Sequence, residues 1–180
     1  SPANLKRLRA ALAVLEAEPV FFPALSAAAL RRGHACHFRC MAPGLHKLRI
    51  DVMSRMRGVD SFAGLWKRRR EIAIPRVGPV AVISLPDLVR AKKTQRDKDW
   101  PMIRRLVEAD MACHAGSPSP EQVAFWLREC RTAGILCDLA RRYPAPARRE
   151  SARRPLLRAA LRTDVGKTGL LLRRDEDRER

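Results

Sequence analysis

The stretch SLPDLVRAKKTQRDKDWPMI, from Ser84 to Ile103, sets the organisation predicted for this chain. Ser84 with Asp87 three residues later forms a capping box, and Pro86 is tolerated in a first helical turn because the N–H there has no intrahelical partner. Asp99, followed by Trp-Pro-Met, repeats the pattern at a second helix start. The stretch therefore predicts two capped helices joined by a turn rich in lysine and arginine.

The segments before this stretch predict strands. In LHKLRIDVMSRM (45–56), apolar and polar residues alternate, so Asp51 falls on the polar face of a half-buried strand. The segment EIAIPRVGPVAVI (71–83) has two apolar runs around a turn, which is typical of a β-hairpin. A sheet therefore precedes the two helices.

The rest of the chain predicts helices. Residues 4–17 have leucines at helical spacing, and residues 121–143 predict another helix with a break near Gly134. The mixed-charge end predicts poor order. We therefore expect an α/β (α+β) fold in three parts: a domain over 1–112, a helical extension over 118–163, and a charged, disordered tail over 164–180.

The chain is strongly basic. It has 37 lysines and arginines against 19 acidic residues, a formal net charge of +18 at pH 7. Such a charge attracts phosphate backbones, so nucleic acid, a nucleotide or an acidic protein are plausible partners. The alternative is that each basic cluster is an ordinary solvated helix face.

Cysteine usage and hydropathy bear on the compartment. Five cysteines form no regular framework, which favours a reducing environment over a disulfide scaffold. The sequence has no run of about 18 apolar residues and no signal-peptide pattern at its start. We therefore expect a cytoplasmic protein without a membrane partner.

Two local patterns suggest ligand sites and are rejected. His34, Cys36, His37 and Cys40 are spaced closely enough to chelate zinc, but a strand would turn His37 away from the others, so buried free cysteines are favoured. The segment DVGKTGL (164–170) resembles the end of a P-loop, but lacks the preceding glycine and strand.

Asp51 is the most suggestive acid. A carboxylate on the polar face of a sheet can hold Mg²⁺ against nucleotide phosphates, although metal-assisted phosphoryl transfer normally uses several such oxygens. Considered alone, an aspartate in this position is more often an ordinary surface residue.

The order of these segments resembles the later part of bacterial nucleotidyltransferase-like proteins, including the minimal nucleotidyltransferases and the nucleotidyltransferase toxins of abortive-infection systems. The resemblance covers roughly residues 1–108, and its most specific parts are SLPDLVRAKK and RDKD. It implies a mixed sheet flanked by helices, and transfer of a nucleoside monophosphate from a nucleoside triphosphate to RNA, protein or a small molecule. The acceptor and the nucleobase cannot be read from the sequence.

The resemblance also assigns roles to three residues. Asp51 matches the third acid of the family, which implies a catalytic role and a place among the ligands of Mg²⁺. Lys92 matches the lysine of the family's Asp-Leu-x-x-x-Lys segment, and Lys98 matches the Lys-Asp that follows, which implies contacts of both with the nucleotide.

The family's Gly-Ser turn and Asp-x-Asp pair do not occur before Asp51. The chain therefore resembles either an amino-terminally shortened or a degenerate member. One carboxylate cannot position two metal ions, so we expect this chain alone to transfer nucleotides weakly or not at all. The alternative is a non-catalytic module that binds nucleic acid or a toxin–antitoxin partner.

Overall fold

The computed structural model describes residues 1–46, 48–93 and 96–179. Backbone contacts divide the chain into a first unit, Ser1–Lys67, and a second unit, Arg68–Arg180. This division differs from the predicted boundaries at 112 and 118. The reason is that side chains around Val89 and Ile103 join the same hydrophobic core as the helices after residue 120.

The first unit contains a three-stranded antiparallel sheet in the order β1-β2-β3. Strand β2 alternates buried and more exposed residues, and its buried side chains Cys36 and Phe38 pack with Leu12 and Ala29 in a small core. The elements are α1 (Pro2–Val14), β1 (Ala17–Pro19), α2 (Ala27–Arg31), β2 (Cys36–Cys40), β3 (Arg49–Val52) and α3 (Phe62–Lys67).

The second unit begins with an antiparallel hairpin and continues as helices. Among the described residues, four helices have proline in the first or second position: α1 in the first unit and α4, α6 and α8 here. The elements are β4 (Arg70–Ile74), β5 (Gly78–Val82), α4 (Leu85–Lys92), α5 (Asp99–Cys113), α6 (Pro120–Glu129), α7 (Ala133–Arg142), α8 (Pro144–Glu150), α9 (Leu157–Ala160) and α10 (Val165–Glu179).

The main core lies within this second unit. Leu127, Leu136 and Leu157 are fully buried and come from α6, α7 and α9. Burial of a leucine side chain contributes roughly 1.5–3 kcal/mol. These helices therefore give the second unit a core that does not depend on the β4–β5 hairpin, whose strand β4 is exposed at every residue.

The predicted α/β class is confirmed, with two differences in the sheet and helices. Both sheets are antiparallel rather than mixed. The predicted break near Gly134 in the helix over 121–143 is found at residues 130–132, where Cys130 is extended (φ −59°, ψ 131°). The glycine itself lies inside α7.

The tail over 164–180, predicted to be disordered, differs from the structure over its described part, and Arg180 lies outside the described residues. Residues Val165–Glu179 form α10, which buries Thr168 and Leu172. The sequence-based prediction rested on local charge, whereas these buried side chains and ion pairs to distant residues hold the helix. The P-loop-like segment is accordingly the start of α10, and α9 precedes it rather than a strand.

Candidate functional site

Asp51 lies on β3 of the first unit, as predicted. It stands opposite His37 in the register of β2 and β3, and His37 Nδ1 lies 2.7 Å from Asp51 Oδ1. The two side chains are 29% and 44% exposed, respectively. Asp51 is thus an accessible carboxylate already engaged by an imidazole.

Few side chains that could bind the predicted Mg²⁺ lie around Asp51 among the described residues. Among residues 1–46, 48–93 and 96–179, no group of three or more His, Cys, Asp or Glu side chains could hold a metal ion. Asp51 and His37 together offer one carboxylate and one imidazole, while a two-metal centre for phosphoryl transfer needs several carboxylate oxygens. The described residues around Asp51 therefore do not fit a two-metal magnesium centre, and participation of Mg²⁺ stays a prediction.

The prediction that the closely spaced cysteines of this region are buried and free is confirmed. Cys36 and Cys40 are free and buried on one face of β2. His37 lies on the opposite, more exposed face. Cys36 belongs to the small core of the first unit.

Lys92 and Lys98 lie in the second unit, on either side of the turn between α4 and α5. Lys92 Nζ is 3.7 Å from Asp99 Oδ1, and Arg96 Nε donates to Asp99 Oδ2 at 2.9 Å. Lys98 is exposed. The segment around these lysines thus includes an ion-paired buried acid, and phosphate contacts of Lys92 and Lys98 stay a prediction.

Asp99 was predicted to cap α5, and this assignment is wrong. Lys98 is the N-cap residue of α5 and makes no side-chain cap hydrogen bond, while Asp99 is the first helical residue. Asp99 is 3% exposed. Its carboxylate pairs with Lys92 and Arg96 instead of capping the helix. It still lies in the first turn, where negative charge is favourable.

Ser84 caps α4 as predicted, but a hydrogen bond between the two side chains takes the place of the reciprocal half of a capping box, and an arginine joins them. Ser84 Oγ accepts from the Asp87 backbone N–H at 3.3 Å and donates to Asp87 Oδ2 at 2.7 Å. Arg68 adds two hydrogen bonds to the Asp87 carboxylate, both 2.9 Å. This guanidinium is the main reason that the pKa of Asp87 lies below its usual value, although burial opposes the shift. No local pattern in the sequence marks Arg68 as its partner.

Asp87 lies in the wall of a cleft of about 670 Å³ within the second unit. Asp110, on α5, accepts from Trp126 Nε1 at 2.7 Å. His114 Nδ1 lies 2.9 Å from the Asp110 carbonyl oxygen, so this nitrogen carries the proton, since a carbonyl only accepts. The cleft therefore combines cations, carboxylates and an oriented imidazole, and its acids already have partners. It is lined by Arg68, Arg70, Ser84, Leu85, Pro86, Asp87, Arg90, Asp110, His114, Ser119, Glu121, Gln122 and Phe125.

Exposed arginines concentrate on α8, α9 and their connections. The segment from Arg141 to Arg162 contains eight arginines and one acid, Glu150. Arg128 binds that acid at 3.1 Å, and Arg141 binds Asp138 at 2.9 Å. Arg142 is exposed and donates to the Ala115 carbonyl oxygen at 3.0 Å. The exposed members whose side chains make neither an ion pair nor a hydrogen bond with any residue the structure describes are Arg148, Arg149, Arg153, Arg158 and Arg162, here called the α8–α9 arginines.

Comparisons with known proteins give no relative. No protein-family model matches the sequence, and neither the curated proteins nor the solved structures contain a significant match. Within the described residues, none of the helices is long and apolar enough to cross a membrane. The resemblance to nucleotidyltransferases therefore stays a prediction, and charge and geometry are the basis for inferring function.

Proposed function

We propose that the second unit binds nucleic acid without catalysing a reaction on it, through the α8–α9 arginines. The observation that carries this proposal is five exposed guanidinium groups within 15 residues, none in an ion pair with a described residue. Guanidinium groups donate several hydrogen bonds in a planar fork that matches phosphate oxygens. A polyanion is the partner that uses all of them at once.

The charge of the second unit supports the same partner. Residues 68–180 contain 26 lysines and arginines against 15 acids, which leaves 11 positive charges. Each phosphate contact gives a salt dependence of about −0.9 in log K against log salt concentration. Five contacts would therefore lower the affinity roughly 500-fold between 50 and 200 mM salt.

The test is binding of fluorescently labelled RNA and duplex DNA, followed by anisotropy in EDTA at several salt concentrations. We expect binding that persists in EDTA and a slope of about −4.5, from about −0.9 for each of the five arginines. Replacing Arg148, Arg149, Arg153 and Arg158 by Gln should flatten that slope by about 3 to 4.

A matched control separates this surface from net charge alone. Arg39, Arg49, Arg55 and Arg57 are exposed residues of the first unit, and their replacement by Gln removes the same charge. The control variant should bind nearly as well as the unaltered chain. Equal weakening by both variants, or absence of binding in EDTA, would contradict the proposal.

Nucleotidyl transfer is the second candidate, and the exposure of Asp51 on β3 favours it. The test is transfer of label from nucleoside triphosphates to RNA or protein with Mg²⁺, compared between the unaltered chain, Asp51→Asn and the control Glu18→Gln on β1. Labelling that requires Mg²⁺ and disappears only in Asp51→Asn would support this function. Full labelling by Asp51→Asn would show that Asp51 has no such role.

A further inference from the structure

We propose that Lys93, Arg131 and Arg154 form a second phosphate-binding site, which the acidic end of α10 covers in this structure. These three residues are here called the cation cluster. The inference rests on the proposed nucleic-acid function and deepens it: the ligand is the phosphate backbone, and Asp175 and Glu179 occupy the positions of phosphate oxygens.

The cation cluster is buried and paired with acids of α10. The side chains of Arg131 and Arg154 are 0% and 7% exposed. Arg131 Nη2 donates to Glu179 Oε2 at 2.7 Å, and Arg154 Nε donates to Asp175 Oδ2 at 3.4 Å. Both acids come from the last two turns of α10, so one short segment seals both guanidinium groups.

Lys93 and Glu129 complete the group. Lys93 Nζ lies 3.1 Å from Glu179 Oε2 and 2.8 Å from Glu129 Oε2. Glu129 also lies 3.4 Å from Arg131 Nη2. Glu129 is therefore a resident acid of the cluster, whereas Asp175 and Glu179 belong to the covering helix.

The arginines have more donors than the covering acids satisfy. Nε and Nη1 of Arg131 and Nη2 of Arg154 are buried without a hydrogen-bond partner among the described residues. Burial, followed by repulsion from Arg131, lowers the pKa of Arg154 below its usual value. Buried charged donors left without acceptors are costly. The non-bridging oxygens of a backbone phosphate lie around a tetrahedral phosphorus, with ester oxygens beside them, so a phosphate can reach donors that a planar carboxylate leaves unpaired.

Helix α10 has an anchored half and a covering half. Thr168 and Leu172 are buried in the first half. After Leu172 the sequence is RRDEDRE, with no apolar residue. The contacts described for this second half with the cluster are ion pairs, and their acids Glu179 and Asp175 are 32% and 19% exposed, so water can solvate them when the pairs open. The covering half can therefore leave while the anchored half stays in the core.

A crevice beside α10 gives an anion a way in. It has a volume of about 250 Å³ and is lined by Arg104 on α5, Arg131, the start of α7, and Leu172, Arg173 and Glu176 of α10. Three arginines against one carboxylate favour an anion there. A phosphate that enters this crevice stands at the edge of the covering half, next to the cluster that it would occupy.

Charge is conserved in the proposed exchange. Each backbone phosphate carries one negative charge, so two phosphates replace the carboxylates of Asp175 and Glu179. The released acids then return to water, where their solvation is favourable. In free protein, the covering half acts as an internal competitor that lowers the affinity for nucleic acid.

The test compares RNA affinity of the full chain and of Asp175→Asn/Glu179→Gln. The matched control is Asp138→Asn/Asp177→Asn, which removes two exposed acids with the same change in charge. We expect the first variant to bind RNA at least tenfold more tightly than the control at 150 mM salt. Adding Arg131→Gln should abolish that gain, while adding the α8–α9 replacements should weaken binding but keep the gain.

Hydrogen exchange provides a second readout that stability alone does not move. On RNA binding, amides of residues 173–179 should exchange faster, while those of 165–172 stay protected. Millimolar inorganic phosphate without RNA distinguishes a small phosphate ligand: the same exchange pattern with phosphate alone would overturn the assignment to nucleic acid.

The outcomes separate this inference from the proposed function. If RNA binding depends on the α8–α9 arginines but the variant gains nothing over its control, the cation cluster is structural and the inference is overturned. The inference is also overturned if the variant only unfolds more easily and RNA leaves the exchange of 173–179 unchanged in the unaltered chain. If no chain binds RNA, both fail.

Discussion

Replacing Asp87 by Asn should lower the free energy of unfolding of the second unit, and by more than the same replacement at an exposed aspartate. Asp87 is 1% exposed and accepts two hydrogen bonds from Arg68 and one from Ser84. Hydrogen bonds to a charged group contribute about 1.5–3 kcal/mol each. The Asn side chain keeps one acceptor oxygen, and water can hydrate the Arg68 guanidinium, which is 44% exposed. We therefore expect the free energy of unfolding to fall by about 2–3 kcal/mol.

The assay is urea unfolding followed by tryptophan fluorescence in a Trp66→Phe background. Trp100 and Trp126 then remain, and both are buried in the second unit, 5% and 2% exposed. The control is Asp138→Asn, the same change in an exposed pair with Arg141, where the loss should stay below about 0.5 kcal/mol. An equal loss in both variants would refute the role given to the buried pair.

The pH dependence provides an internal check on the cause. Because Arg68 holds the folded-state pKa of Asp87 below the unfolded value, its stabilisation is complete above about pH 4 and is lost as the pH falls through the folded-state pKa. The difference in unfolding free energy between the unaltered chain and Asp87→Asn should therefore narrow in acid. A difference that stays constant down to about pH 3, below the ordinary aspartate pKa, would contradict an ionic origin.

Two further predictions concern local chemistry. Ser119→Ala should cost about 1 kcal/mol in urea unfolding, because Ser119 Oγ accepts from the Gln122 N–H at 3.2 Å as half of a reciprocal capping box; no change would show that the cap is dispensable. In the native protein, the exposed thiol of Cys113 should react rapidly with a disulfide reagent, and Cys113→Ser should remove this fast phase. The other four cysteines should react slowly because they are buried, and burial also raises the pKa of Cys130. Rapid reaction of a second thiol would contradict this burial.

Local patterns predicted the elements whose causes are local. The Ser84 cap, the proline in the first turn of α4 and the two apolar runs of the hairpin are all determined by neighbouring residues, and α4, β4 and β5 were found where expected. Asp51 was likewise placed correctly on a strand by alternation. These features arise from backbone periodicity and turn chemistry.

Features that depend on distant residues were missed. The order of α10 comes from Leu172 in the core and from Glu179 binding Arg131, a residue 48 positions earlier. The pairing of Arg68 with Asp87 spans 19 positions. In a chain with 37 basic residues, nothing in a single sequence marks which guanidinium is buried and which is solvated.

The prolines at four helix starts affect the unfolded chain as well as the folded one. Pro2, Pro86, Pro120 and Pro144 each fix one backbone angle before any helix has formed. A proline in a compatible position stabilises a protein by about 0.4–1 kcal/mol, because fewer conformations are lost on folding. At the starts of helices α4, α6 and α8, the unfolded chain is therefore already restricted to a backbone angle compatible with the helix. Part of the stability of the second unit thus comes from the lower entropy of its unfolded state and not from any contact in its folded state.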